Sequence, residues 1–118
     1  MRHANRFLLI AFLGLLLSYA WAQEKFPTGT FTGGEYTLSF SADGVHTVST
    51  GDKVVVKGNY TVNANEISIV DKEGDFACIG QTGKYTWKLD GKNLSFTKVS
   101  DDCDGRVQGL TAQPWVKK

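Results

Sequence analysis

From residue 23 onward, no extended stretch places apolar side chains at helical spacing, whereas alternation with a period of two recurs along the whole segment. Side chains alternate between faces along a strand and return every three to four residues along a helix, so this pattern predicts an all-β chain. Tyr36, Leu38 and Phe40 alternate with Thr37 and Ser39, and Ala42-Asp43-Gly44 ends that run. Val45 to Thr50 returns, Gly51-Asp52 turns, and Val54-Val55-Val56 leads on through Tyr60 and Val62. Asn63-Ala64-Asn65 turns again before Ile67 and Ile69. The polar stretch Asp71 to Asp75 reads as a loop before Phe76 to Ile79. Tyr85, Trp87 and Leu89 share one face, Asp90-Gly91 is a strong hairpin dipeptide, and Leu94 and Phe96 come back.

After Val99 the pattern changes. Ser100 to Arg106 is polar and reads as a turn or a single helical turn, and Trp115-Val116 is a candidate closing strand. Both prolines, Pro27 and Pro114, are peripheral to these runs, as a sheet requires. An internal echo supports repeated hairpins: Gly29-Thr30-Phe31-Thr32, Gly58-Asn59-Tyr60-Thr61 and Gly83-Lys84-Tyr85-Thr86 share the form Gly-x-aromatic-Thr. In each, glycine permits a tight bend or bulge and the aromatic supplies core. About eight short strands joined in order by short turns favour an antiparallel meander closed into a β-barrel, which removes its edges. A two-layer sandwich is the competing architecture.

Ahead of this region stand Arg2, His3 and Arg6, then an apolar run from Phe7 to Leu17, then Ala20-Trp21-Ala22. A basic start, a short apolar stretch and an A-x-A site form a secretory signal peptide, with cleavage expected after Ala22. A membrane-spanning helix needs ~20 apolar residues, more than this run provides. The expected organisation is therefore a leader over residues 1–22 and one domain over 23–118, soluble and secreted or periplasmic. Two of the 13 basic residues leave with the leader while all 12 acidic ones stay, for a mature net charge of −1. That balance lacks the basic footprint of nucleic-acid binding.

Cys78 and Cys103 both meet an oxidising compartment after export, which predicts a disulfide between them. Closing a loop of about 25 residues contributes roughly 3 kcal/mol in the chain-entropy picture. Catalytic signatures are sparse. His46 is the one histidine after the leader, and it reads as a solvent-facing strand residue. Asp101, Asp102 and Asp104 with Gly105 lack the full twelve-residue calcium pattern, so a solvated turn held by Cys103 is expected. The expectation is a non-enzymatic domain with no cofactor and no metal. Asn59-Tyr60-Thr61 and Asn93-Leu94-Ser95 fit the glycosylation sequon, both within expected strands.

The aromatics leave two alternatives open. Tyr36, Phe40, Tyr60, Tyr85, Trp87 and Phe96 all lie on the apolar phase of their strands. They either fill the core or line a cavity, because small barrels are just wide enough for side chains or one small ligand.

An early Gly-x-aromatic (Gly29 and Phe31), a late arginine (Arg106), a disulfide and an exported meander ending at Trp115 together resemble the calycin superfamily, the lipocalin-like barrels. The resemblance implies a small hydrophobic ligand in the barrel mouth. It implies that Phe31 stands where those proteins carry tryptophan, and that Arg106 packs over that aromatic. The chain is shorter than a typical lipocalin and has no Thr-Asp-Tyr loop. A second resemblance is to periplasmic inhibitors of lysozyme, whose Ser-Gly-x-x-Tyr loop is similar to Thr82-Gly83-Lys84-Tyr85. It implies an exposed inhibitory loop formed by Gln81, Thr82, Gly83 and Lys84. A third alternative is a module that contacts another envelope protein.

Overall fold

The alternating segments fold as eight antiparallel strands in sequence order: β1 (Gly29–Gly33), β2 (Tyr36–Phe40), β3 (Val45–Thr50), β4 (Lys53–Asn63), β5 (Glu66–Glu73), β6 (Thr82–Asp90), β7 (Asn93–Ser100) and β8 (Trp115–Lys117). A computed structural model describes residues 25–118; the expected signal peptide lies outside them. Each strand pairs with the next, and β8 pairs with both β7 and β1, so the sheet closes into a barrel. β8 closes the ring by pairing with Phe31 and Thr32 of β1 and with Asn93 and Leu94 of β7, which shortens the open edges of the meander. The expected closing strand at Trp115 is therefore present, and three residues suffice for it. One helix, α1 (Asp104–Thr111), lies between β7 and β8. No helix among the described residues is long and apolar enough to cross a membrane.

The two ends of the barrel are built differently. At the end carrying the β2–β3, β4–β5 and β6–β7 turns, aromatic rings fill the interior. Phe26 packs edge-on against Phe40 and Trp87 at centroid distances of 4.9 and 5.3 Å, with Tyr60 at 5.6 Å. The polar tips of these rings are satisfied at the rim, where Tyr60 Oη donates to the Ser41 carbonyl and Trp87 Nε1 to the Ala64 carbonyl. Aromatic pairs in edge-to-face geometry add to the stabilisation from burial alone.

At the opposite end the ladder is irregular. The register shifts at Val48/Ser49 against β4, at Lys57/Gly58 against β5, and at Lys84/Tyr85 against β7. The residues without a partner are Val55, Lys72 and Val99. A bulge flips the phase of the strand after it and bends the strand. That is why adjacent Val55 and Val56 are both buried; Val99 lies on the outward phase of β7, opposite Leu94 and Phe96.

Two segments depart from the expected elements. The stretch Asp71–Glu73 continues β5 instead of starting a loop, and Phe76 to Ile79 forms no strand, with only an isolated bridge from Ile79 to Asp71. After Ser100 the chain forms a two-turn helix where at most a single turn is expected. Leu110 is the one buried apolar residue of α1, and Gly105 and Gly109 interrupt the sequence, so no amphipathic stripe announces it. Cys103 caps the helix through its backbone carbonyl, which accepts from Val107 N–H at 3.0 Å.

Candidate functional site

The irregular end of the barrel holds a group of buried charged side chains, and its placement follows from strand register. Phe40 pairs with His46 and Leu38 with Val48, so His46 lies on the inward face with Leu38 and Phe40. It is 2% exposed, which corrects the solvent-facing reading. The ambiguity arose because Val45 and Val48 fall on opposite phases; the inward phase is decided by the Ser41–Gly44 turn. Asp71 continues the inward series Ile67, Ile69 on β5 and is 3% exposed. His46 Nε2 and Asp71 Oδ1 are 3.1 Å apart. Asp71 is an acceptor as a carboxylate, so Nε2 donates.

Gly58 makes this pair possible. It stands between His46 and Asp71 in the sheet, and a methyl group there would lie 2.0 Å from the Val70 carbonyl oxygen and 2.8 Å from His46 Cε1. Gly83 has the same role on β6, where a methyl group would lie 2.4 Å from Asp101 Oδ2 and 2.9 Å from Arg106 Nε. Two glycines of the Gly-x-aromatic-Thr echo thus make room for charged side chains, and Gly58 also stands at a register shift, in keeping with the bend or bulge expected of it.

Arg106 joins the two carboxylates. Its Nε and Nη2 donate to Asp101 Oδ2 and Oδ1 at 2.7 and 2.9 Å, and Nη2 also reaches the Gln81 carbonyl at 2.9 Å. Its Nη1 lies 3.2 Å from Asp71 Oδ2, within ion-pair range but off the line of a hydrogen bond. Bidentate pairing of this kind is the strong form of an arginine–carboxylate contact. Asp101 further accepts from Tyr85 Oη at 2.5 Å and from Cys103 N–H at 2.9 Å. The expected solvated turn is corrected here: Asp101 is buried and its acceptors are taken, while Asp102 and Asp104 face solvent.

Burial alone would raise both carboxyls. At Asp71, hydrogen bonds from His46 and the Cys78 N–H, with the Arg106 charge, outweigh it and hold the group below its ordinary value. At Asp101, Arg106, Tyr85 and the Cys103 N–H do the same. The Tyr85 hydroxyl is pushed well above the usual range by burial and by its bond to Asp101.

The disulfide Cys78–Cys103 links the connection after β5 to the start of α1, as expected, with Cα atoms 6.2 Å apart. The backbone amides of its two cysteines donate to the two buried carboxylates, Cys78 to Asp71 and Cys103 to Asp101. Covalent bridge and ionic group therefore fasten the same two segments to the barrel end.

Next to this group lies a cavity of about 330 Å³. Tyr36, Leu38 and Phe40 of β2, Val48 of β3, Val55 and Val56 of β4 and Ile69 of β5 form its apolar wall. His46, Asp71 and Arg106 form a polar corner, and α1 covers it with Gly105, Gly109 and Leu110. The exposed lining residues, Phe76, Gly105 and Gly109, mark its mouth. Gly105 and Gly109 border this opening, and a methyl group built at either meets nothing within 4 Å.

The aromatics expected to be core or ligand-lining divide between the two roles. Tyr36 and Phe40 line the cavity, while Tyr60, Tyr85, Trp87 and Phe96 belong with Phe31 and Trp115 to the packed core, which Phe40 also joins. Trp115 contributes to both, and its Nε1 donates to the Leu110 carbonyl. The cation over the Phe31 ring is Lys117 Nζ, 5.0 Å from the centroid, and Arg106 is committed to its carboxylates instead. That corrects the contact expected for Arg106. Thr82, Gly83 and Lys84 do not form a protruding loop. They are the first residues of β6, paired with Val70, Ile69 and Ser68, and only Gln81 precedes the strand. The sequon residues Asn59 and Asn93 are exposed on β4 and β7. Sequence reasoning missed His46 and Asp71, although Asp71 on the phase of Ile67 and Ile69 was a readable signal.

Comparison with protein-family models, with curated proteins and with solved structures found no match. A closed, eight-stranded antiparallel meander is consistent with a calycin-like fold.

Proposed function

We propose that this chain is an exported, non-enzymatic binding protein that holds one small, largely apolar molecule in the cavity beneath α1. The observation that carries the reading is the cavity itself: about 330 Å³ within the barrel wall, apolar on most sides, with a few convergent polar groups at one corner. Ligand sites have that make-up, and their volumes begin at about 300 Å³. A dry cavity of ~150 Å³ already accommodates benzene, so a ligand of two small rings or a medium-length chain fits here. Export is supported by the basic and apolar leader and by the disulfide, which needs an oxidising compartment. A binding role is favoured over catalysis because the buried acids are occupied in holding Arg106, Tyr85 and the cysteine amides.

The test uses a neutral, two-ring fluorescent probe that matches the cavity volume, 1-aminonaphthalene, titrated into the mature protein. Saturable one-to-one enhancement is expected, and Gly109→Leu, which places a bulky side chain at the mouth of the cavity, is expected to weaken binding at least about tenfold. Circular dichroism and thermal melting of the variant check that its barrel persists. No saturable signal, or equal binding by a folded Gly109→Leu variant, overturns the reading.

A further inference from the structure

The polar corner of the cavity has an unusual charge inventory. Three of its side chains are nine-tenths or more buried: His46 at 3%, Asp71 at 3% and Arg106 at 8% side-chain exposure. Arg106 is the only cation of the group if His46 is neutral, and it is already shared between Asp71 and Asp101. Protonating His46 would bring the set only to balance. A carboxylate on a ligand would thus be a third anion for one guanidinium, in a place where unpaired buried charge is costly.

The same corner holds two polar atoms without a hydrogen-bond partner among the described residues, His46 Nδ1 and Arg106 Nη1. Because Nε2 donates to Asp71, the neutral ring is left with Nδ1 as an acceptor. His46 and Arg106 both line the cavity, so an acceptor without a partner and a donor engaged only in an ion pair with Asp71 belong to this corner. A hydroxyl group is both donor and acceptor and has no charge. A carboxylate has only acceptors and would face Asp71.

We infer that the cavity selects uncharged amphiphiles bearing a hydroxyl, such as medium-chain or small-ring alcohols, and excludes the corresponding carboxylic acids. This rests on the reading that the cavity binds an apolar ligand and adds the chemistry of the ligand's polar end. Selectivity comes from Asp71 and Asp101, which repel an anionic head, and from His46 and Arg106, which receive the hydroxyl.

The experiment displaces 1-aminonaphthalene from the mature protein with 1-octanol, octanoate and octylammonium near neutral pH. The two ions have the same chain and opposite charge, which separates the sign of the charge from charge as such. The expected order is 1-octanol first, octylammonium second and octanoate last, with at least about tenfold between the alcohol and the acid. Octanoate displacing within about threefold of 1-octanol, or as well as octylammonium, overturns the inference while the cavity reading stands. Failure of all three to displace a bound probe also overturns it. Absence of saturable probe binding in the first place defeats the underlying reading, so the two failures are told apart.

Discussion

Arg106 holds two carboxylates at once, and replacing it leaves both Asp71 and Asp101 buried without their shared counter-charge. Breaking a buried ion pair from one side costs about 3–5 kcal/mol, so Arg106→Met is expected to lower unfolding stability by that amount in urea titration. A loss below ~1 kcal/mol, the range of exposed pairs, would show that the group is not a structural centre. The same residues set the response to acid. Asp71 and Asp101 are held below their ordinary values when folded, so the unfolded chain binds protons more readily than the native one. Their contribution is full above the unfolded value of about 3.9 and is lost as the pH falls below it toward the folded values. Chemical denaturation across that window is expected to show stability falling with acid, and less steeply in Asp101→Asn. At this scale the sequence was partly readable. Cys78, Cys103, Phe31 and Trp115 have the places their types imply. His46 was misread because a lone histidine on a strand has no intrinsic face, and its face is set by pairing with Phe40.

Helix α1 illustrates an element held in place by its surroundings. It has eight residues, two of them glycine, and one buried apolar side chain. Helices shorter than about twelve residues are marginal alone, and interior glycine costs ~1 kcal/mol more. What holds it is the disulfide at Cys103, the Arg106 pairs and Leu110 against the core. Replacing both cysteines by serine is expected to lower stability by roughly 3 kcal/mol. It should also raise hydrogen exchange at amides of residues 104–111 more than in β2 or β4. Uniform exchange across the barrel would contradict this coupling. The strands, by contrast, were legible because each carries its own period-two pattern and turn residues. The helix was not, since its existence depends on tertiary contacts that local periodicity does not encode. The bulges at Val55, Lys72 and Val99 were hidden for the same reason, because each is a property of a pair of strands.

For the whole molecule, the barrel divides into a packed aromatic end and an open end with cavity, charged group and helix. Closure by the three-residue β8 joins the first and seventh strands of the sheet. The cavity opens beside α1, where Gly105 and Gly109 line it. The barrel itself followed from sequential strands and short turns. The choice between filled core and ligand cavity did not, because both need aromatics on the same phase; which of them line the cavity depends on where the bulges and helix fall. The central claim is that this cavity takes up a small apolar molecule. The most direct measurement is a two-dimensional ¹H–¹⁵N NMR titration of the mature protein with 1-octanol. Saturable shift changes at Val48, Val55, Gly105 and Gly109, with the Ala64–Asn65 turn at the packed end unmoved, are the predicted result. Changes that fail to saturate, or that gather at the packed end, would contradict it.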